Sequence, residues 1–246
     1  MRLTFIGIGS GNPDQLTGEA IRALAQADQV LIPIKSGDRK ELAALRDTIC
    51  DLYLTKSDAK RAYFQMPERD ARIADYTLRV DAWHDEIAAL WDQSIDPAAQ
   101  EVIMLVWGDP SLFDSSLRIA NRLTARRDIT IRVLAGITSL QLLTAAHAIP
   151  LNMIGEPVMI TTGRKLATSG WPAGVDTLAI MLDGDCAFQT LDPRRVDIWW
   201  GAYLGMQDQI LIHGPLETAG PQILAQRAKA RIERGWIMDI YLLRRR

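Results

Sequence analysis

Leu3-Thr4-Phe5-Ile6-Gly7-Ile8-Gly9-Ser10-Gly11-Asn12-Pro13 is the stretch that decides the fold. Leu3–Gly9 reads as a buried strand that ends in glycines. A helix is expected from about Thr17 to Ala27, with Ala20, Ile21, Leu24 and Ala27 at helical spacing. Gln29–Pro33 is a second short apolar run with strand character. Strand, helix and strand joined by short connections open an α/β unit with parallel strands.

Ser36–Gln100 is long and polar, with helical spacing over Glu41–Cys50 and Arg69–Trp91. Val102–Trp107 reads as a third strand, broken by Asp109-Pro110. A helix over Ser115–Ala125 and a strand over Ile129–Leu134 follow. In the second half Val158–Thr162, Thr177–Leu182, Val196–Trp200, Gln209–His213 and Trp236–Leu243 read as strands, the last antiparallel. One strong helix, Thr218–Ile232, sits among them. The chain is expected to divide near Leu134 into an α/β half (1–134) and a more sheet-rich α+β half (135–246).

The bulk composition narrows the function classes. In 246 residues, 48% are hydrophobic and 24% charged, and the formal net charge is −2. That is the balance of a soluble globular protein with one large or two ordinary domains. There is no basic block or aromatic run of the kind that binds nucleic acid, so no nucleic-acid partner is expected. Cys50 and Cys186 stand far apart without CxxC spacing, which argues against a metal site or disulfide framework and for a reducing compartment. Met1–Gly11 lacks the long apolar core of a signal peptide, and no stretch approaches a membrane span. The expectation is a cytoplasmic protein with no membrane partner.

Three loops carry candidate chemistry. In the first, glycines allow close backbone approach to a ligand, and amides before a helix suit an anion. A dinucleotide fingerprint fails, because Asn12 stands where GxGxxG needs its last glycine and Lys35 and Ser36 stand where the ribose-binding acid belongs. No Walker A sequence occurs. The bland alternative is a tight turn. The second loop, Trp107-Gly108-Asp109-Pro110-Ser111-Leu112-Phe113, places an acid beyond the carboxyl end of a strand, where open α/β sheets bind ligands; helix capping is the alternative. The third, Gly136-Ile137-Thr138-Ser139, lies at the same edge or caps the helix running through Ala146. Three such loops on one edge favour a shared ligand site.

Taken in order, these motifs resemble the tetrapyrrole (corrin/porphyrin) methylases. That family opens with G-x-G-P-G-D/N-P-x-x-L-T and a helix ending in A-D-x-V. Here these stand as Gly7–Thr17 and Ala27-Asp28-Gln29-Val30. The family's G-D-P-x-x-F/Y stands as Gly108–Phe113, and its P-G-I/V-S/T-S as Ala135–Ser139. Ser10 and Ala135 replace the family's usual prolines. The branch that converts precorrin-5 into precorrin-6A is the specific match, through Val106–Ser115, Ile149–Asn152, Ile160–Arg164, Met181–Gly184, Trp200–Gly205, Gly235–Asp239 and Tyr241–Arg244. The resemblance covers essentially the whole chain.

The resemblance implies a two-domain methylase fold with S-adenosyl-L-methionine (SAM) in a trough between the halves and S-adenosyl-L-homocysteine as product. It places Ser10, Trp107, Gly108, Asp109, Leu112, Phe113, Thr138, Ser139, Leu182, Gly201, Ala202, Tyr203 and Leu204 at the cofactor. It implies methylation of precorrin-5 at C1 with release of acetate, a small-molecule tetrapyrrole partner and a homodimer. Acetate release needs a base, and Asp109, Asp183 and Tyr203 are the candidates because each falls in a motif. His84, His147 and His213 are scattered: His84 suits a surface or packing role, and His147 and His213 stand near element ends. Arg39, Lys40, Arg46, Arg164 and Lys165 are candidates for the substrate's carboxylates. Rival readings are a methyltransferase of the same fold acting at another ring position or on diphthamide, a nicotinamide oxidoreductase, and a non-catalytic protein that binds SAM or a tetrapyrrole.

Overall fold

The computed structural model describes residues 1–34, 40–235 and 237–246, with the side chains of 40–42 also outside the description. The chain divides into two compact units, Met1–Ile137 and Thr138–Arg246.

The first unit is a parallel sheet between two helical layers. Its strands are β1 (Arg2–Gly7), β2 (Gln29–Ile34), β3 (Lys60–Gln65), β4 (Glu101–Val106) and β5 (Thr130–Leu134), in the order β3-β2-β4-β1-β5. The helices are α1 (Gly18–Leu24), α2 (Lys40–Tyr53), α3 (Tyr76–Ser94) and α4 (Ser116–Leu123). Strands covered on both faces need apolar residues at consecutive positions. The period-2 alternation then assigns each residue to a layer. Leu3, Phe5, Leu31, Val102 and Met104 pack with Ile87, Trp91 and Ile119 of α3 and α4. Ile6, Val30, Ile32, Ile103 and Leu105 pack with Ala20, Leu24 and Ile49 of α1 and α2.

Two expectations change. The polar stretch before Gln100 is not helical throughout, because β3 lies within it as an edge strand parallel to β2. An edge strand needs few apolar residues, and only Phe64 is buried in Lys60–Gln65. Its polar side chains tie down α2: Arg61 donates to Asp51 at 2.5 Å, and the Tyr63 hydroxyl donates to Asp47 at 2.6 Å. The helix expected from Arg69 starts only at Tyr76, where Asp75 caps it by accepting from Leu78 N–H at 2.9 Å.

The second unit holds α5 (Ser139–His147), β6 (Val158–Thr162), α6 (Gly163–Ser169), β7 (Thr177–Met181), β8 (Val196–Ala202), β9 (Ile210–Pro215), α7 (Leu216–Arg234) and β10 (Asp239–Arg245). Its sheet runs β6-β7-β10-β8-β9; β6 and β7 pair in parallel and the other pairs are antiparallel. The final run therefore forms an antiparallel strand as expected, although Trp236 lies outside the described residues. The seven-residue α6 was not expected, since two turns are too short for a clear apolar period. Core residues include Leu178, Ile180, Ile198, Trp200, Ile223 and Tyr241.

The Ala-Asp-x-Val motif has a structural use. The Asp28 carboxylate accepts the backbone N–H groups of Gln100 and Glu101, at 2.7 and 2.8 Å, and pairs with Lys56. It thereby anchors the start of β4 beside β2. The Lys56 bond and these amides hold the Asp28 carboxyl down at about 2. A depressed acid stabilises the fold above its unfolded pKa and loses that contribution as pH falls through its folded value. Asp28 should therefore contribute at most about 2 kcal/mol, complete above about pH 4 and lost toward pH 2. Urea titrations across that window should show a shallower acid loss in Asp28→Asn than in the parent.

Candidate functional site

β1 lies between β4 and β5, so the loops after these three strands emerge side by side at the carboxyl edge of the sheet. Gly9 and Gly108 form an antiparallel bridge, with Gly108 N–H donating to Gly9 O at 2.7 Å and Gly9 N–H to Gly108 O at 3.3 Å. Gly136 packs onto the same point. A Cβ at Gly136 would stand 2.2 Å from Gly108 O, and one at Gly7 would stand 2.5 Å from Gly136 N. The three small-residue loops are thus brought together, backbone against backbone. Gly108 has φ +66°, and the space where its Cβ would project is open within 4 Å.

Asp109 fastens two of these loops. One carboxylate oxygen accepts Ser111 N–H at 2.8 Å and the Ser111 hydroxyl; the other accepts Gly136 N–H at 2.8 Å. Burial pushes this carboxyl up, but the bonds from Ser111 and Gly136 outweigh burial and hold it below the usual carboxylate range. Asp109 does not cap α4. Asp114 supports that helix start instead, accepting Ser116 N–H at 2.6 Å. Ser10 is buried, and its N–H donates to Gln15 Oε1 at 3.2 Å. Gln15 sits within the first motif, yet the sequence alone did not single it out as a loop support.

Trp107 and Leu112 are half-buried, and Phe113 is 47% exposed with φ 51°. In the second unit Thr138 caps α5 with a reciprocal box. Its hydroxyl accepts Leu140 N–H at 3.2 Å, and its own N–H donates to Gln141 Oε1 at 3.1 Å. Ser139 begins that helix. Leu182, just after β7, is 66% exposed with φ 52°. Gly201, Ala202, Tyr203 and Leu204 are all buried at the end of β8. Left-handed backbone is sterically costly for residues with side chains and gathers at ligand sites. Among the described residues that are not glycine, Phe113, Leu182 and Tyr203 of the expected cofactor set adopt it, as do Ala148, Cys186 and Arg195 outside that set.

Asp183, Tyr203 and Asp109, the expected candidates for the base, are each closely held. Asp183 is buried, and its carboxylate accepts Asp185 N–H at 3.1 Å, Ala187 N–H at 2.6 Å and the Tyr241 hydroxyl at 2.5 Å. An acid held by three donors is poorly placed to take a proton from water. The Tyr203 ring is 1% exposed within the second core, with the Arg234 guanidinium 4.7 Å from its centroid. Asp109 is likewise engaged on both oxygens. The two carboxylates are thus held by loop donors.

The three histidines differ in burial, His84 being buried, His147 half-buried and His213 exposed. His84 is buried, and burial pulls its imidazole below the ordinary value. His147 Nε2 lies 3.0 Å from Trp200 O, and its ring meets His213 edge-on at 5.5 Å. Among the substrate-facing candidates, Arg39 and the side chain of Lys40 lie outside the described residues. Arg46 donates to Leu105 O at 2.9 Å, just past Met104, where the pairing of β2 with β4 stops. Burial pushes Arg46 down to about 10 against the pull of Asp114. Arg164 and Lys165 are exposed in the first turn of α6. Among the described residues no cluster of His, Cys, Asp or Glu suits a metal ion, and no helix is long and apolar enough to cross a membrane.

Residues 2–220 match the model of the Tetrapyrrole (Corrin/Porphyrin) Methylases. The chain belongs to this family. Among tetrapyrrole methylases it is 45% identical over 249 residues to the precorrin-6A synthase [deacetylating] of Sinorhizobium sp, covering 99% of this chain and 95% of the relative. It also resembles the crystal structure of CobF, a cobalamin synthesis related protein from Corynebacterium diphtheriae. That match has a TM-score of 0.83 and 35% identity, and covers 99% of this chain and 98% of the other. A uroporphyrin-III C-methyl transferase from Thermus thermophilus, crystallised with S-adenosyl homocysteine, shares the fold at TM-score 0.57 and 19% identity, with 99% and 92% covered. The tetrapyrrole methylases' first three motifs correspond in this chain to the three glycine-bearing loops that meet at Gly7, Gly108 and Gly136.

Gly136→Ala should force these backbones apart. The expected loss is at least about 2 kcal/mol in the stability of the first unit, measured by urea unfolding. A neutral outcome would show that the loops can separate without penalty.

Proposed function

We propose that the chain is a SAM-dependent C-methyltransferase of cobalamin biosynthesis, which methylates precorrin-5 at C1 and releases acetate to give precorrin-6A. The observation that carries this reading is 45% identity to a deacetylating precorrin-6A synthase over almost the whole of both chains. The cofactor assignment draws on the family and on the relative crystallised with S-adenosyl homocysteine. Bound SAM supplies a sulfonium methyl already activated for transfer to a ring carbon.

The residues present fit such a group. In the first unit Gly108 offers bare backbone facing open space and Phe113 exposed apolar surface; in the second unit, taken by itself, Leu182 is exposed. Asp109 fixes the two loops that carry Trp107, Leu112 and Phe113 on one side and Gly136 on the other. Within the second unit Thr138 and Ser139 bring polar groups at the start of α5, and Gly201–Leu204 are buried at the end of β8. In this reading the protein's task is alignment and exclusion of water, which lowers the barrier by fixing donor and acceptor in one geometry. Arg164 and Lys165 are proposed to meet the substrate's carboxylates; guanidinium and ammonium groups both pair with such anions. A cytoplasmic homodimer is the proposed working form.

Methyl-labelled SAM and precorrin-5 incubated with the purified protein should yield label in the macrocycle together with free acetate. Label without acetate would reassign the chain to methylation at another ring position. No label despite SAM binding would make it a binding protein. In Asp109→Asn an amide N–H₂ would face the N–H of Ser111 or Gly136. SAM affinity should fall at least tenfold by calorimetry, while circular dichroism still reports a folded chain.

A further inference from the structure

The loop after β7 is held from beneath by a buried cation. Arg227 of α7 is 6% exposed, and its Nε donates to Asp239 Oδ2 at 2.9 Å. The same guanidinium continues past its partner. Nη1 donates to Gly184 O at 2.9 Å, and Nη2 to Asp183 O at 2.7 Å. Asp239, at the start of β10, also accepts Trp200 Nε1–H at 2.8 Å. One planar fork thus joins a helix and a strand to two successive carbonyls of the Leu182-Asp183-Gly184 turn.

The turn is gripped from its other side by the Asp183 carboxylate, through Asp185 N–H, Ala187 N–H and the Tyr241 hydroxyl. Gly163 seals that grip, since a Cβ there would stand 2.2 Å from Asp183 Cγ. What all these bonds leave outside is Leu182, mostly exposed in left-handed backbone. A buried ion pair is a poor source of net stability, because desolvation offsets its attraction and apolar residues of similar size do as well. What an apolar replacement cannot do is bind two carbonyls at fixed positions.

We propose that Arg227, held in register by Asp239, is a positioning residue for the cofactor: it fixes the turn that presents Leu182 to SAM. This rests on the reading above that Leu182 meets the cofactor. Arg227 does not touch the ligand and acts only through the carbonyls of Asp183 and Gly184. Lysine cannot replace it, because a single ammonium does not span Asp239 and both carbonyls.

The test compares full-length Arg227→Met and Arg227→Lys with Ile223→Ala, a cavity variant on the same helix that breaks none of these bonds. SAM binding is measured by calorimetry, and hydrogen exchange is followed at the amides of Asp185 and Ala187. Arg227→Met is expected to weaken SAM at least tenfold and to speed exchange at both amides. Arg227→Lys should give a smaller change in the same direction, and it carries the test should the Met variant fail to fold. Ile223→Ala should lower the thermal midpoint with SAM affinity near the parent's. Equal SAM weakening in Ile223→Ala and the Arg227 variants would overturn the proposal, as would parental SAM affinity in Arg227→Met. A parent protein that takes up no SAM would overturn the cofactor reading, and the positioning role with it. Faster exchange in Arg227→Met would then show that the tether itself was correctly placed.

Discussion

The approach of three backbones at Gly7, Gly108 and Gly136 is the constraint on which the loop edge of the first unit depends. No side chain fits between these segments, so each loop's path is dictated by the other two. The strand order makes this possible by setting β4 and β5 on either side of β1. The bridge between Gly9 and Gly108 then extends sheet-like pairing past the sheet's edge. Rigidity here comes from backbone contact, and the Asp109 carboxylate adds a polar clasp to it.

Asp109 and Asp183 show one device used in both units. Each follows closely after the carboxyl end of a strand and turns its carboxylate back onto the amide two residues ahead, Ser111 or Asp185. Each then accepts a further amide, from Gly136 or Ala187. An acid in such a motif invites a catalytic reading, because charge beside a ligand edge is chemically useful. In both cases the carboxylate is engaged by backbone amides and by one hydroxyl, that of Ser111 or Tyr241, and so fixes the shape of the loop.

In the first unit β1, β2 and β4 were legible in the sequence because burial on both faces leaves continuous apolar runs. Val158–Thr162 was legible to the residue, as a short β-rich run between turn signals. β3 was not, because an edge strand tied to α2 by Arg61 and Tyr63 has the composition of a solvated helix. The three loops were legible through glycine spacing and their place after strands. Their mutual contact was not, since it depends on strand order, which a linear sequence does not display. The part of Arg227 was hidden for a related reason: within α7 it is one basic residue among several, and only the fold brings Asp239 and the carbonyls of Asp183 and Gly184 around it.

The left-handed backbone at Phe113 and Leu182 bears on how this chain responds to selection. Glycine would adopt that conformation without steric cost, and asparagine nearly so. Either would relax the native state while erasing the exposed apolar surface that the loops now display. Heat resistance and the proposed ligand contact therefore pull these two positions in opposite directions. A lineage screened only for survival at high temperature would drift toward small residues there, whereas one screened for turnover would hold the bulky pair and gain its robustness elsewhere, in the cores beneath the two sheets.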